Sequence, residues 1–182
     1  MLMKNSGDIV PTSTELETSQ TLEVNKLSTH NTVPSSASEN HPLDLPSGVP
    51  EDFQLFETRS RFVQLCGPMY EKIYADNTVA LGLLLDEQHL NQLDLAHGGI
   101  LMTLADNAMG RTLSHQAEFQ TSYVTLSMNS QFMEAAKLGE FIYAKPTVCR
   151  KGRRLVFLEC EIRSGEKILF HSSATFAALE KK

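Results

Sequence analysis

The sequence predicts an α+β fold in which an antiparallel sheet wraps one long central helix. Three patterns carry that expectation. Residues 98–115 spread Ile100, Leu101, Met102, Leu104, Ala105, Ala108, Met109 and Leu113 around most of a helix circumference, and a helix apolar nearly all round belongs inside something. From Tyr123 the hydrophobic period changes to two, and three more strand-like runs follow with short turns between them. Every Phe and Tyr lies beyond residue 49, so the residues able to build a core are gathered in one stretch of ordinary domain length.

Taken in chain order, residues 1–49 contain 14 Ser or Thr, no aromatic residue, and Pro11, Pro34, Pro42 and Pro46. Such a segment buries too little apolar surface to offset its ordering entropy and is expected to be a disordered tail, leaving residues 50–182 as the folded domain. Residues 51–66 set Phe53, Phe56, Phe62 and Leu65 at spacings compatible with an amphipathic helix, closed by Gly67-Pro68. Residues 70–85 alternate loosely and read as a strand, ended by the polar turn 86–92. The buried helix comes next. After it, residues 123–129 put Val124, Leu126 and Met128 on one face and Thr125, Ser127 and Asn129 on the other. Residues 141–149, 155–162 and 168–176 complete four consecutive strands, joined by turns at Lys151-Gly152 and Ser164-Gly165. Pro146 inside the second of these suggests a bulge or an edge.

Composition removes several function classes. The longest apolar run, residues 79–85, is far short of the roughly 20 residues a bilayer span needs. Neither a secretory signal nor an Arg-rich transit peptide fits the start of the chain, so a cytoplasmic location is expected. Cys66, Cys149 and Cys160 are an odd set without CxxC spacing, which points to buried reduced thiols rather than disulfides or zinc. A formal charge of −6 with Lys and Arg in short clusters argues against nucleic-acid binding. His89, His115 and His171 have no metal-ligating spacing, and no metal or cofactor is expected.

The residues with chemistry lie around the helix start. Gly98 and Gly99 leave backbone N–H groups unobstructed at the positive end of a helix dipole, the outline of an oxyanion hole. The same glycines also fit a simpler role, relieving crowding where helix meets sheet. Asp106 is an acid within an apolar helix, and Thr103 and Gly110, at i−3 and i+4, complete a narrow polar stripe down it. Such a stripe reads as a site wall, or as a carboxylate satisfied by solvent or a neighbouring strand. Helical rise separates Gly98 from Asp106 by about 12 Å. One carbonyl group cannot touch both within one chain, so joint action requires a two-fold dimer in which each chain supplies one half of each site.

With those residues in view, the segment Asn91, His97-Gly98-Gly99 and Asp106 resembles the signature of hotdog-fold acyl-CoA thioesterases of the phenylacetic-acid-degradation (PaaI-like) type. The resemblance extends to Thr125 with Asn129, residues 136–140, the basic hairpin 150–154 and Ala174-Thr175-Phe176, covering about residues 52–179. It implies a hotdog fold, dimers with a continuous sheet often paired into tetramers, and CoA thioesters as substrates. By the matched positions Gly98 would polarise the thioester carbonyl, Asn91 and His97 would shape that corner, Asp106 of the partner would act as general base or nucleophile, and Thr125 would position water. Gly99, Thr103, Asn129 and the basic residues Arg150, Lys151, Arg153 and Arg154 are candidate substrate-binding positions; the basic turn would steer CoA phosphates, or is only a solvated hairpin tip. Two departures stand out: Asp94 replaces a family glycine three residues before the histidine, and Glu134-Ala135 replace a proline after the polar strand. The expected function is hydrolysis of a medium-chain or aryl acyl-CoA. The alternatives are a non-catalytic acyl-CoA or lipid-binding module of the same fold and a hydroxyacyl-thioester dehydratase, whose motif is not seen.

Overall fold

Strand pairing organises the chain. The computed structural model describes residues 45–179, with β1 at Gln54–Leu55, α1 at Arg61–Leu65, β2 at Met69–Ile73, β3 at Val79–Leu84 and a 3-10 turn at Glu87–His89. There follow α2 at Gly98–Gln116, β4 at Ser122–Phe132, β5 at Phe141–Lys151, β6 at Leu155–Ser164 and β7 at Lys167–Leu179. The strands make one seven-stranded antiparallel sheet in the order β1-β2-β3-β5-β6-β7-β4. One long helix, α2, packs on one face of that sheet against β3 to β7, which is the expected α+β architecture.

The core lies between α2 and the sheet. Leu101, Leu104, Ala105, Ala108, Met109 and Leu113 pack with Leu81, Leu83, Ile142, Leu158, Ile162 and Phe170, all at most 3% exposed. Thr112 is also buried, and its hydroxyl accepts from the Val79 N–H at 3.0 Å and donates to the Val79 carbonyl at 3.1 Å, tying the helix to β3. On the opposite face of the sheet a smaller cluster joins Val49, Phe53, Tyr70 and Ala80, capped by Phe141. Gly82 has a spatial cause there: a Cβ would fall 2.2 Å from the Phe141 ring.

Four expectations change. Residues 51–66 are not one helix but β1 followed by the five-residue α1, because Phe53 and Phe56 pack into clusters on opposite faces of the sheet, which a single helical stripe cannot do. Residues 70–85 form a hairpin rather than one strand; Asp76 and Asn77 turn it, with Asn77 at φ 61° and the Asp76 carboxylate accepting from the Thr78 N–H. α2 is buried on one side only, and Met102, Thr103, Asp106, Asn107, Gly110 and Arg111 are left half-buried or exposed along the other. Cys149 is exposed, while Cys160 is buried and Cys66 intermediate. The packed region also reaches a few residues before position 50, since Val49 is 8% exposed; the rest of the expected tail lies outside the described residues. Pro146 pairs with Cys160 across β5 and β6, just past Ala144 where the β3 ladder ends, so its edge reading is the one that applies.

Of the three register slips in the sheet among the described residues, those in β4 and β5 decide which of the candidate site residues face the helix. In β4 the register slips between Thr125 and Ser127, so Tyr123 before it and Met128 after it both pack toward the core. In β5 it slips between Val148 and Arg150, which brings Lys151 opposite Val156 on the helix-facing side.

Candidate active site

The loop before α2 is held by its own hydrogen bonds. The Asn91 Oδ1 accepts from the N–H groups of Leu93 at 2.8 Å and Leu95 at 3.3 Å, and the Asn91 N–H donates to the Leu95 carbonyl. Asp94 lies in that turn at φ 56°, the left-handed region glycine favours and Asp tolerates better than most residues. The glycine-to-Asp departure therefore keeps the loop. Buried His89 accepts at Nδ1 from the Asp86 N–H at 2.9 Å, so its Nε2–H donates to the Cys66 carbonyl at 3.0 Å, and its own carbonyl receives the His97 N–H. These contacts give His89 a scaffold role.

His97 is the N-cap of α2, and its Nδ1 accepts from the Gly99 N–H at 2.9 Å. That bond uses the Gly99 donor. The Gly98 N–H, first of the helix, has no hydrogen-bond partner among the described residues. A Cβ at Gly98 would stand 2.9 Å from the Phe132 ring at the end of β4. Both sequence readings of the glycine pair thus have a physical basis: a free donor at the helix end, and a close approach at which a Cβ would push the Phe132 ring aside.

On the open side of α2, the Thr125 hydroxyl of β4 donates to the Asp106 Oδ1 at 2.6 Å. The short distance is that of a charge-assisted bond. The simpler of the two readings of Asp106, a carboxylate satisfied by a neighbouring strand, is therefore present, and its partner is itself one of the candidate site residues. Asp106 is half-buried on a polar helix face, so its carboxylate is not stranded in apolar surroundings. Gly98 and Asp106 are not brought together in one chain. α2 runs antiparallel to β4, with Gly98 against Phe132 at one end and Asp106 against Thr125 toward the other.

The remaining predicted residues divide. Asn91 and Gly98 line a cleft of about 370 Å3 with Phe132 and Glu134, one of the two residues in place of the family proline. Gly99, His97 and Thr103 line a second cleft, beside α1. Asn129 is not with Thr125: the β4 bulge turns it to the outer face of the sheet, where it lies near Ser173 and Phe157. Within the exposed basic turn, Lys151 stands in a cross-strand row with Val156, Phe176 and Thr125, on the Asp106 side, whereas Arg150 pairs with outward Phe157. Sequence reasoning missed the partly buried ion pair in which Arg111 Nε and Nη2 hold Glu71 at 2.9 and 3.2 Å, with the guanidinium stacked on Phe56 and Phe119. A basic residue five positions after Asp106 and an acid amid strand formers were the available signals.

Comparison with known proteins gives the family and the fold. The thioesterase superfamily profile matches residues 93–170, from the loop before α2 into β7. A putative esterase of Pseudomonas aeruginosa is 31% identical over 128 residues, 70% of this chain and 96% of that protein. Acyl-coenzyme A thioesterase 13 of Homo sapiens is 30% identical over 106 residues, 58% of this chain and 75% of the relative. The PaaI protein of the E. coli phenylacetic acid degradation operon shares the fold at a TM-score of 0.62 and 18% identity, over 68% of this chain and 88% of that one.

Proposed function

The chain belongs to the thioesterase superfamily, and on that premise we propose that it hydrolyses a medium-chain or aryl acyl-CoA to the free acid and CoA. The observation that carries this reading is the Thr125–Asp106 hydrogen bond on the open face of α2, together with the unpartnered Gly98 N–H at the helix end. In the proposed reaction the thioester oxygen rests on the Gly98 N–H, which stabilises the negative charge that develops on it. Asp106 takes a proton from a water held by Thr125 as the water oxygen bonds to the carbonyl carbon, and collapse of the tetrahedral intermediate breaks the C–S bond, the departing CoA sulfur taking up that proton. Alternatively the Asp106 carboxylate attacks the carbon itself, CoA leaves as a thiolate that is protonated by solvent, and water then hydrolyses the resulting mixed anhydride to the free acid and the Asp106 carboxylate. Asn91 and His97 keep the helix end in register. No metal or cofactor enters this scheme.

The two halves of the site come from different chains in this proposal, as a dimer or a pair of dimers. Supporting it, β4 is an edge strand with Val124 and Leu126 exposed at 41% and 58%. Antiparallel addition of a second copy at that edge would set the partner's Thr125 end beside Phe132, and so beside Gly98. Lys151, Arg150, Arg153 and Arg154 would attract the phosphates of CoA. Among the described residues no helix is long and apolar enough to cross a membrane, and a cytoplasmic enzyme is part of the same proposal.

The test separates the two roles of Gly98. Gly98→Ala and Gly98→Pro add the same Cβ, but only proline removes the N–H, and proline is tolerated at the first helical position after an extended His97 at ψ 134°. Thiol release from an acyl-CoA panel should fall about 10²- to 10³-fold further in Gly98→Pro than in Gly98→Ala. Asp106→Asn should lose about 10²- to 10⁴-fold in kcat. Equal activity of the two Gly98 variants would leave only the crowding role, and acyl-CoA binding without turnover in the wild type would favour the binding-module alternative.

A further inference from the structure

We propose that the acyl chain of the substrate lies in the apolar cleft between α1 and the start of α2, and that Phe62 and Leu65 set the chain preference. This rests on the hydrolase reading above. α1 is five residues long and buries only Val63, leaving Phe62 59% and Leu65 76% exposed. Two large apolar side chains held open side by side mark a surface that something covers. Beneath them is a cleft of about 330 Å3 whose apolar walls are Phe62, Leu65, Leu90 and Ile100 and whose α2 wall includes His97 and Gly99.

Two observations choose an acyl chain over other occupants. The first is proximity: His97 and Gly99, the residues on either side of the Gly98 donor, line this cleft, while Gly98 lines the cleft across the helix end, so a chain whose carbonyl oxygen rests on that N–H reaches this cleft by passing one residue. The second is charge. No Asp, Glu, Lys or Arg lines the cleft, whereas the cleft on the other side of the helix end includes Glu134 and the one on the outer sheet face is lined by Lys145, Glu159, Glu161 and Arg163. An uncharged aliphatic or aryl chain gains from such walls, while a chain ending in a carboxylate loses hydration without a Lys or Arg to pair with, the polar lining being Gln88, His89, His97 and Thr103. The preferred substrates are therefore uncharged acyl-CoAs, and acyl groups with a terminal carboxylate are discriminated against.

The experiment titrates the whole protein with S-alkyl-CoA thioethers from ethyl to hexadecyl, which lack the scissile carbonyl, alongside thiol release from the matching acyl-CoAs. In the wild type, affinity should rise by up to about fourfold per methylene until the cleft is filled, then level off. In Phe62→Ala/Leu65→Ala and in Leu65→Glu, both of exposed residues, affinity for octyl and longer chains should fall about tenfold or more with ethyl unchanged, the loss appearing in KM for short-chain substrates not at all. A loss equal at every length, no loss at any length, or dissociation of the oligomer by these substitutions would overturn the proposal, the last by assigning α1 to subunit contact. Chain-dependent binding that the variants abolish, with no thiol released from any acyl-CoA, would keep the cleft and reject hydrolysis.

Discussion

Single residues in this protein act by holding hydrogen bonds at chain junctions, and Glu140 is the clearest. Its carboxylate accepts from the Ser164 hydroxyl at 2.7 Å, the Lys167 ammonium at 3.0 Å and the Lys137 N–H at 3.1 Å, where the chain passes from the 136–140 connection into β5. Burial opposes ionisation, but the bonds from Ser164, Lys167 and Lys137 outweigh it and hold the carboxyl below its ordinary value of 4.5. A pKa lowered on folding adds stability above the unfolded value and loses it as pH falls through the folded one. Glu140→Gln should therefore cost about 1 kcal/mol at neutral pH, with the gap to wild type closing below pH of about 4.5 in urea unfolding measured across pH. An equal gap at every pH would mean that packing, not charge, explains the loss. At this scale spacing singled out Gly98, Gly99 and Asp106 as candidates, and the structure shows Asn91 holding its loop, His97 capping α2 and Thr125 donating to Asp106. The contact of Phe132 with Gly98 was not legible, because the two are distant in sequence and meet only through the antiparallel run of α2 along β4.

Among elements, α2 determines most. Its inner face fills the core, and its outer face carries Asp106, Asn107 and Arg111. Arg111 ties this helix to β2 through Glu71, whose side chain is 8% exposed against 24% for the arginine. Removing Arg111 leaves a buried carboxylate unpaired, so Arg111→Leu should cost about 3 kcal/mol, while Glu71→Leu/Arg111→Leu should recover most of it. Chemical denaturation of Arg111→Leu, Glu71→Leu and the double variant measures this, and strict additivity would refute the coupling. Strand bulges are the other decision made at this scale. A strict period of two puts Thr125 and Asn129 on one face, as the sequence suggested; the extra residue in β4 separates them, and the one in β5 turns Lys151 toward the helix. Alternation alone does not reveal such a slip, since it depends on the register of the neighbouring strand.

For the whole molecule, the separation of Gly98 from Asp106 along one rigid helix makes the assembly part of the proposed chemistry. If each site combines one chain's helix end with the other's carboxylate, Gly98→Pro and Asp106→Asn chains are each inactive alone yet complementary. Unfolding and refolding an equal mixture should restore about a quarter of the wild-type activity, because half of the dimers are mixed and each has one intact site of two. Light scattering on the same sample reports whether dimers have formed. No recovery in a mixture that has re-formed dimers would place both halves of each site within one chain.

Local pattern determined the α+β class, the bounds of α2 and the last four strands, and it picked out Gly98, Gly99 and Asp106 as candidates, since each depends on periodicity or short spacing within one segment. Tertiary structure alone decided the rest. Whether residues 51–66 were helix or strand depended on two faces of a sheet competing for Phe53 and Phe56. Which side chains of β4 and β5 face the helix depended on register with β7 and β6. The pairing of Glu71 with Arg111 and of Gly98 with Phe132 required chain closure over tens of residues. Periodicity is a property of one segment, whereas register, facing and long-range contact are properties of pairs of segments, and these form only when the chain folds.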